Sequence, residues 1–95
     1  MEFEWDKSKN YSNISKHGID FEQAKRVFED PNLLIFVDNR FDYGEIREIS
    51  IGKLLLTTQQ KIIIVVVVYT QRDSKIRLIS ARKANKKERK RYEQQ

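Results

Sequence analysis

The final stretch of the chain, IRLISARKANKKERKRYEQQ (residues 76–95), holds the side chains best suited to chemistry, and the chemistry they suit is that of phosphate. From residue 82 onwards there are seven basic side chains, Arg82, Lys83, Lys86, Lys87, Arg89, Lys90 and Arg91, against only Glu88 and Glu93. Residues 1–81 carry twelve charges of each sign, so the whole formal net charge of +5 resides in this one segment. A cation that neutralises a nucleic-acid phosphate releases condensed counterions, so such a block fits a polyanion or an acidic protein. The bland alternative is a solvated tail that aids solubility. The concentration of charge favours the first reading, but charge alone does not choose between RNA and DNA.

Two further groups are weighed with it. Strict alternation along KIRLISAR places Arg77 with Ile79 and Ala81, and Arg82 with Ile76, Leu78 and Ser80. The two arginines then face opposite ways unless a bulge or the strand end re-aims one. A plain salt bridge to Glu45 or Glu48 on a neighbouring strand accounts for Arg77 equally well. His17 is the only histidine and sits in Lys16-His17-Gly18 at a helix end, where an imidazolium complements the helix dipole. Capping is its better reading, ahead of acid–base work. One histidine without an acidic cluster makes no metal site. There is no cysteine, and no GxGxxG, P-loop or nucleophile motif, so no cofactor is expected.

These residues must be positioned by a small α+β domain, taken as one unit over residues 1–95. Phe3 and Trp5 alternate with acids and read as a short strand. Asp6 caps a helix with Tyr11 and Ile14 at helical spacing, and Gly18 stops it. A second helix starts near Asp20, carries Phe21, Ala24, Val27 and Phe28 as one stripe, and closes at Pro31. Strands follow: LLIFV (residues 33–37), IREISIG (residues 46–52), the long β-branched run 62–70, and KIRLISAR. DNRFDYGE links the first pair, and short links predict antiparallel neighbours. Asn85 and Glu88 form a capping-box pattern opening a basic helix over residues 84–95. With only Ala84 and Tyr92 able to pack, that helix is expected to be mobile.

IIIVVVVY is apolar on both faces, although two helices cover only one face of a sheet. Either the monomer covers both, or a protein partner buries part of one. Eight apolar residues are far short of the roughly 20 that span a bilayer, so no membrane contact is expected. The acidic start, MEFEWDKSK, lacks the apolar core of a signal peptide, and a cytoplasmic location is expected.

In combination, these stretches resemble the BrnT family of type II toxins. The resemblance rests on FEWD (residues 3–6), KHGI with Phe21, Glu22 and Ala24, VFEDP (residues 27–31), DYGE with Arg47, SIG (residues 50–52), and IRLISARKA with KERKRYE. The chain departs from the pattern in its links, where LLLTTQQK and QRDSK lack glycine, and at Gln71, where Glu is common. The resemblance implies a RelE-like fold of helices on a twisted antiparallel sheet. It also implies a metal-independent endoribonuclease that stops translation and is neutralised by a BrnA-like ribbon-helix-helix antitoxin in a two-plus-two complex. DNA is then met only through the antitoxin. Such cleavage uses the substrate 2′-OH as nucleophile and needs a base, an acid and cations at the phosphate. Arg77 and Arg82 would clamp the phosphate. Glu45 would be the base, with Arg47 orienting it or binding phosphate, and His17 and Tyr92 as candidate acids. Lys83, Lys86, Lys87, Arg89, Lys90 and Arg91 would bind RNA. The rival readings are a non-catalytic nucleic-acid-binding module and a pure protein-interaction module.

Overall fold

The computed structural model of the chain describes every residue except Phe41 and Tyr43. The DNRFDYGE link, and the DYGE part of the family pattern, therefore lie partly outside the described residues. In chain order the elements are β1 (Glu2–Glu4), α1 (Lys7–His17), α2 (Phe21–Ala24) continued by a 3-10 turn (Lys25–Glu29), β2 (Leu34–Val37), β3 (Arg47–Leu56), β4 (Lys61–Arg72), β5 (Lys75–Lys83) and α3 (Lys86–Glu93). The strands form one sheet in the order β1-β5-β4-β3-β2.

This corrects the expected arrangement in two ways. The sheet is mixed, because β1 runs parallel to β5 while every other pair is antiparallel. The expected second helix is a single α turn that tightens into a 3-10 turn, so the helices are one near each end and a short piece between. Gly52 accounts for the closeness of that short piece to the sheet. A Cβ there would lie 2.8 Å from Val27 Cγ2 and 2.7 Å from Leu33 Cδ1, so only glycine lets this layer approach β3.

The ends of α1 follow the sequence signals. The Asp6 carboxylate accepts from the backbone N–H groups of Ser8 and Lys9 at 2.8 and 3.1 Å. Gly18 adopts φ +71° and donates its N–H to the Ile14 carbonyl. The anchoring differs from expectation, because Tyr11 and Ile14 are exposed and Asn13 is buried. The Asn13 amide donates to the Ile19 and Ala81 carbonyls and accepts from the Ala81 N–H, at 2.8 to 3.0 Å. β1 pairs only with residues 75–77 of β5, and farther along Asn13 bonds to that strand's backbone. Asn10 ties the second turn in by accepting from the Phe21 N–H.

Each face of the sheet has its own apolar cluster. On the first, Ile19, Phe21, Ala24 and Val27 pack over Leu54, Ile63, Val65, Val67, Tyr69, Leu78 and Ala81. Phe28 meets the Tyr69 ring edge-on at 5.0 Å, and Trp5 meets Phe21 at 6.1 Å. On the second face, Ile49, Ile51 and Val66 pack with Ala84 and Tyr92 from the terminal segment. The run IIIVVVVY is thus apolar on both sides because α3 covers part of its second face.

Candidate nucleic-acid interface

α3 has more to hold it than its lack of an apolar stripe led one to expect. The capping box is formed, with the Asn85 side chain accepting from the Glu88 N–H at 2.8 Å and Glu88 accepting from the Asn85 N–H at 2.9 Å. Glu88 also takes a two-point ion pair from Arg82, at 2.7 and 2.8 Å, which ties α3 to β5. At the far end, the Tyr92 ring is buried and its hydroxyl donates to Asp30 Oδ2 at 2.5 Å. Asp30 accepts as well from the N–H groups of Lys53 and Asn32, so one carboxylate joins three elements. One large aromatic anchor and two charged ties do the work that an apolar stripe does elsewhere.

Between α3 and the sheet lies a groove of about 310 Å³. Its floor is apolar: Phe36 from β2, Ile49 and Ile51 from β3, and Val66 and Val68 from β4. Its rim is cationic: Arg82, Lys87 and Arg91 from the terminal segment and Arg40 from beyond β2, with Glu88 and Ser80 among them. The Arg91 guanidinium lies over the Phe36 ring, 4.2 Å from its centre. Arg40 is held by both carboxylate oxygens of Asp38 at 2.9 Å, and that carboxylate is fully buried while the Arg40 side chain stays 60% exposed.

A bulge decides which arginines share this face. Tyr69 pairs with Leu78 and Val68 with Ser80, so Ile79 is left over and the alternation restarts. Arg77 pairs with Thr70 and Arg82 with Val66, which places both on the grooved side. Their partners lie four positions apart along β4, roughly 13 Å. Arg47 also pairs with Thr70, so Arg47 and Arg77 bracket one end of the face.

The remaining predicted residues are spread over the molecule. Arg77 forms the plain ion pair that was one reading of it, but to Glu4 on β1 at 3.1 Å, not to Glu45 or Glu48. Glu45 accepts from Arg47 and Arg72, each at 3.3 Å, beside an open cleft with Glu48, Thr70 and Gln71 at the sheet end. Partial burial acts to raise its pKa, yet the two arginines outweigh it and hold the carboxyl below the usual range. His17 is exposed at the end of α1, in the layer on the opposite side of the sheet. Tyr92 is locked in the α3 anchor; burial and then Asp30 push its pKa from 10 to about 12. Within the basic block, Lys87 and Arg91 line the groove. Arg89 turns to the other flank of α3 and donates to the Ala84 carbonyl, near Lys83. Lys83, Lys86 and Lys90 are exposed.

Four groove residues escaped the sequence reading: Arg40, Phe36, Ser80 and, as the partner of Arg82, Glu88. The capping-box pattern pointed to Glu88 without revealing its second role. Nothing local marks Phe36 or Arg40, which arrive through strand pairing. The ion pair holds Glu88 ionised: hydrogen bonds from Arg82 outweigh burial, and its pKa falls below the ordinary value.

A cationic rim over an apolar floor can hold the phosphates and one unstacked base of a single strand. Among known families, the model for "Ribonuclease toxin, BrnT, of type II toxin-antitoxin system" matches residues 5–88. No curated protein matches the chain.

Proposed function

The chain belongs to the BrnT family of ribonuclease toxins of type II toxin–antitoxin systems, and from that premise we propose that it cuts RNA in the groove between α3 and the sheet, as a metal-independent endonuclease acting in the cytoplasm on translated RNA. The observation that carries this reading is the grouping of Arg40, Arg82, Lys87 and Arg91 around one concave apolar surface. In the proposed reaction the substrate 2′-oxygen attacks the adjoining phosphorus and the bond to the 5′-oxygen breaks. The products are a 2′,3′-cyclic phosphate and a 5′-hydroxyl. The 2′-OH proton passes to a carboxylate, for which Glu88 in the groove and Glu45 at the sheet end are the two candidates. The 5′-oxygen takes a proton from a rim donor, for which the Lys87 ammonium is the candidate. Arg82 neutralises the charge that builds on the phosphorane oxygens, turning towards them from its pair with Glu88. Arg47 and Arg77 would receive a neighbouring phosphate.

The proposed partner is a BrnA-like ribbon-helix-helix antitoxin. Its acidic and apolar residues would cover the same groove in a two-plus-two assembly, which light scattering of the co-expressed pair measures. Incubating the purified protein with total RNA, with and without EDTA, tests the enzyme reading. Cleavage should persist in EDTA, and Arg82→Ala should lower the single-turnover rate at least tenfold, about 1.4 kcal/mol of transition-state stabilisation. RNA binding without cleavage would make this a binding module. No RNA contact at all, together with a tight protein partner, would make it an interaction module.

A further inference from the structure

The cations of the groove explain attraction to a phosphate backbone, but they leave its floor unexplained. Of its five apolar side chains, Ile49, Ile51 and Val66 are buried in the cluster with Ala84 and Tyr92, so the apolar surface left open is that of the half-buried Phe36 and Val68. A surface that met only phosphates would gain nothing from leaving these two open beside Arg82, Lys87 and Arg91. Among the described residues Phe36 is the aromatic side chain lining the groove, and Arg91 sits over its ring at 4.2 Å. Aromatic rings and guanidinium planes are the two protein groups on which unpaired bases stack.

We propose that this floor is a nucleobase subsite: one unpaired base of the RNA packs against the Phe36–Arg91 pair and the Ile49–Val68 floor, while the phosphate beside it meets Arg82 and Lys87. The inference rests on the reading of the groove as the RNA site and deepens it. Three features commit the groove to a nucleotide. The positive rim complements a phosphate, the apolar floor complements a base face, and about 310 Å³ is at the small end of ligand sites. Among the described residues the uncharged polar side chain lining it is Ser80, which offers base edges little to read. Selection is therefore for an exposed base face over a stacked one. Double-stranded RNA, whose faces are covered by neighbouring pairs, is excluded by geometry, not by sequence.

The test compares binding of two short single-stranded RNA oligomers, identical except that one carries a single abasic nucleotide in place of its central base. Fluorescence anisotropy at fixed salt gives both affinities. Phe36→Leu keeps the apolar bulk and removes the ring, so folding is a small concern, and Phe36→Tyr restores the ring. The wild-type protein should bind the intact oligomer roughly tenfold more tightly than the abasic one, in keeping with the worth of one stacked base. Phe36→Leu should erase most of that difference, and Phe36→Tyr should restore it. Equal affinity of the wild-type protein for the two oligomers would overturn the subsite while leaving RNA binding intact. An unchanged tenfold preference in Phe36→Leu would overturn the placement at Phe36. Failure of the wild-type protein to bind either oligomer would overturn both the subsite and the RNA reading of the groove.

Discussion

The two faces of the sheet are built from the same β-branched strands and finished in opposite ways. Over the first face, α1, α2 and the 3-10 turn close an apolar cluster in which Phe21, Ala24, Val27, Val65 and Val67 are wholly buried. Polar groups that enter it are bonded, Asn13 three times over. Over the second face, α3 covers one end with Ala84 and Tyr92 and leaves the rest as a groove under a cationic rim. The first face supplies stability and rigidity. The second uses that rigidity to fix charges around an open floor. Preorganised charge needs a scaffold that does not move when ligand arrives, and here the scaffold is the other side of the same strands.

Cutting into each face should break this comparison or sharpen it. Phe21→Ala removes a wholly buried ring that contacts Trp5, and should cost about 3–5 kcal/mol. That is a large share of the roughly 5–15 kcal/mol available to a domain. Val68→Ala removes a half-buried groove side chain and should cost only about 1 kcal/mol. Urea unfolding measures both. Equal losses would mean that the grooved face carries as much of the fold as the helical one.

Some of this division is legible in the amino-acid sequence. Both caps of α1, the capping box of α3 and the two-faced character of residues 62–69 follow from local rules. The unbroken apolar run raised two possibilities, cover within the monomer or by a partner, and α3 supplies part of that cover. What escaped depends on contacts between distant residues. Tyr92 finds Asp30 across 62 positions and Arg77 finds Glu4 across 73. The alternation around Phe3 announced β1, but nothing in it announced the parallel pairing with β5. The bulge at Ile79 reverses the side to which Arg82 points, and nothing in KIRLISAR marks it. Links without glycine also proved compatible with tight turns, since Gln60 and Asp73 take up positive φ themselves.

A smaller effect concerns pH, and it should single out α3. Glu88 and Asp30 both have pKa values lowered by folding, from 4.5 and 3.8. For Glu88 the Arg82 pair is the main cause. For Asp30 burial opposes the shift and is outweighed by the Lys53 N–H, the Tyr92 hydroxyl and the Asn32 N–H. Their contribution is full above those unfolded values and is lost as pH falls through the lower folded ones. Tyr92 works in the other direction: raised from 10 to about 12, it contributes fully below pH 10, and that contribution is lost as pH rises through about 12. Hydrogen exchange should therefore show α3 loosening at both extremes. Tyr92→Phe should cost about 1 kcal/mol at neutral pH and remove the alkaline loosening of α3. Retention of that loosening in the variant would show that the Tyr92–Asp30 bond is not what holds the helix.

The smallest expected effect separates the faces most cleanly, because it concerns the residue whose type best suits acid–base chemistry. His17 is the lone imidazole of the chain, yet it is exposed at the C-terminal end of α1, in the layer that packs on the side of the sheet away from the groove. With RNA cut in the groove, as proposed, this imidazole can help only the helix it ends, through the dipole, by about 0.3–1 kcal/mol. His17→Gln should thus slow single-turnover cleavage by less than about twofold and leave its pH profile unchanged, where Arg82→Ala slows it at least tenfold. A tenfold loss in His17→Gln with the fold intact would move the reacting phosphate to the helical face. The division of labour between the two sides of the sheet would then be wrong.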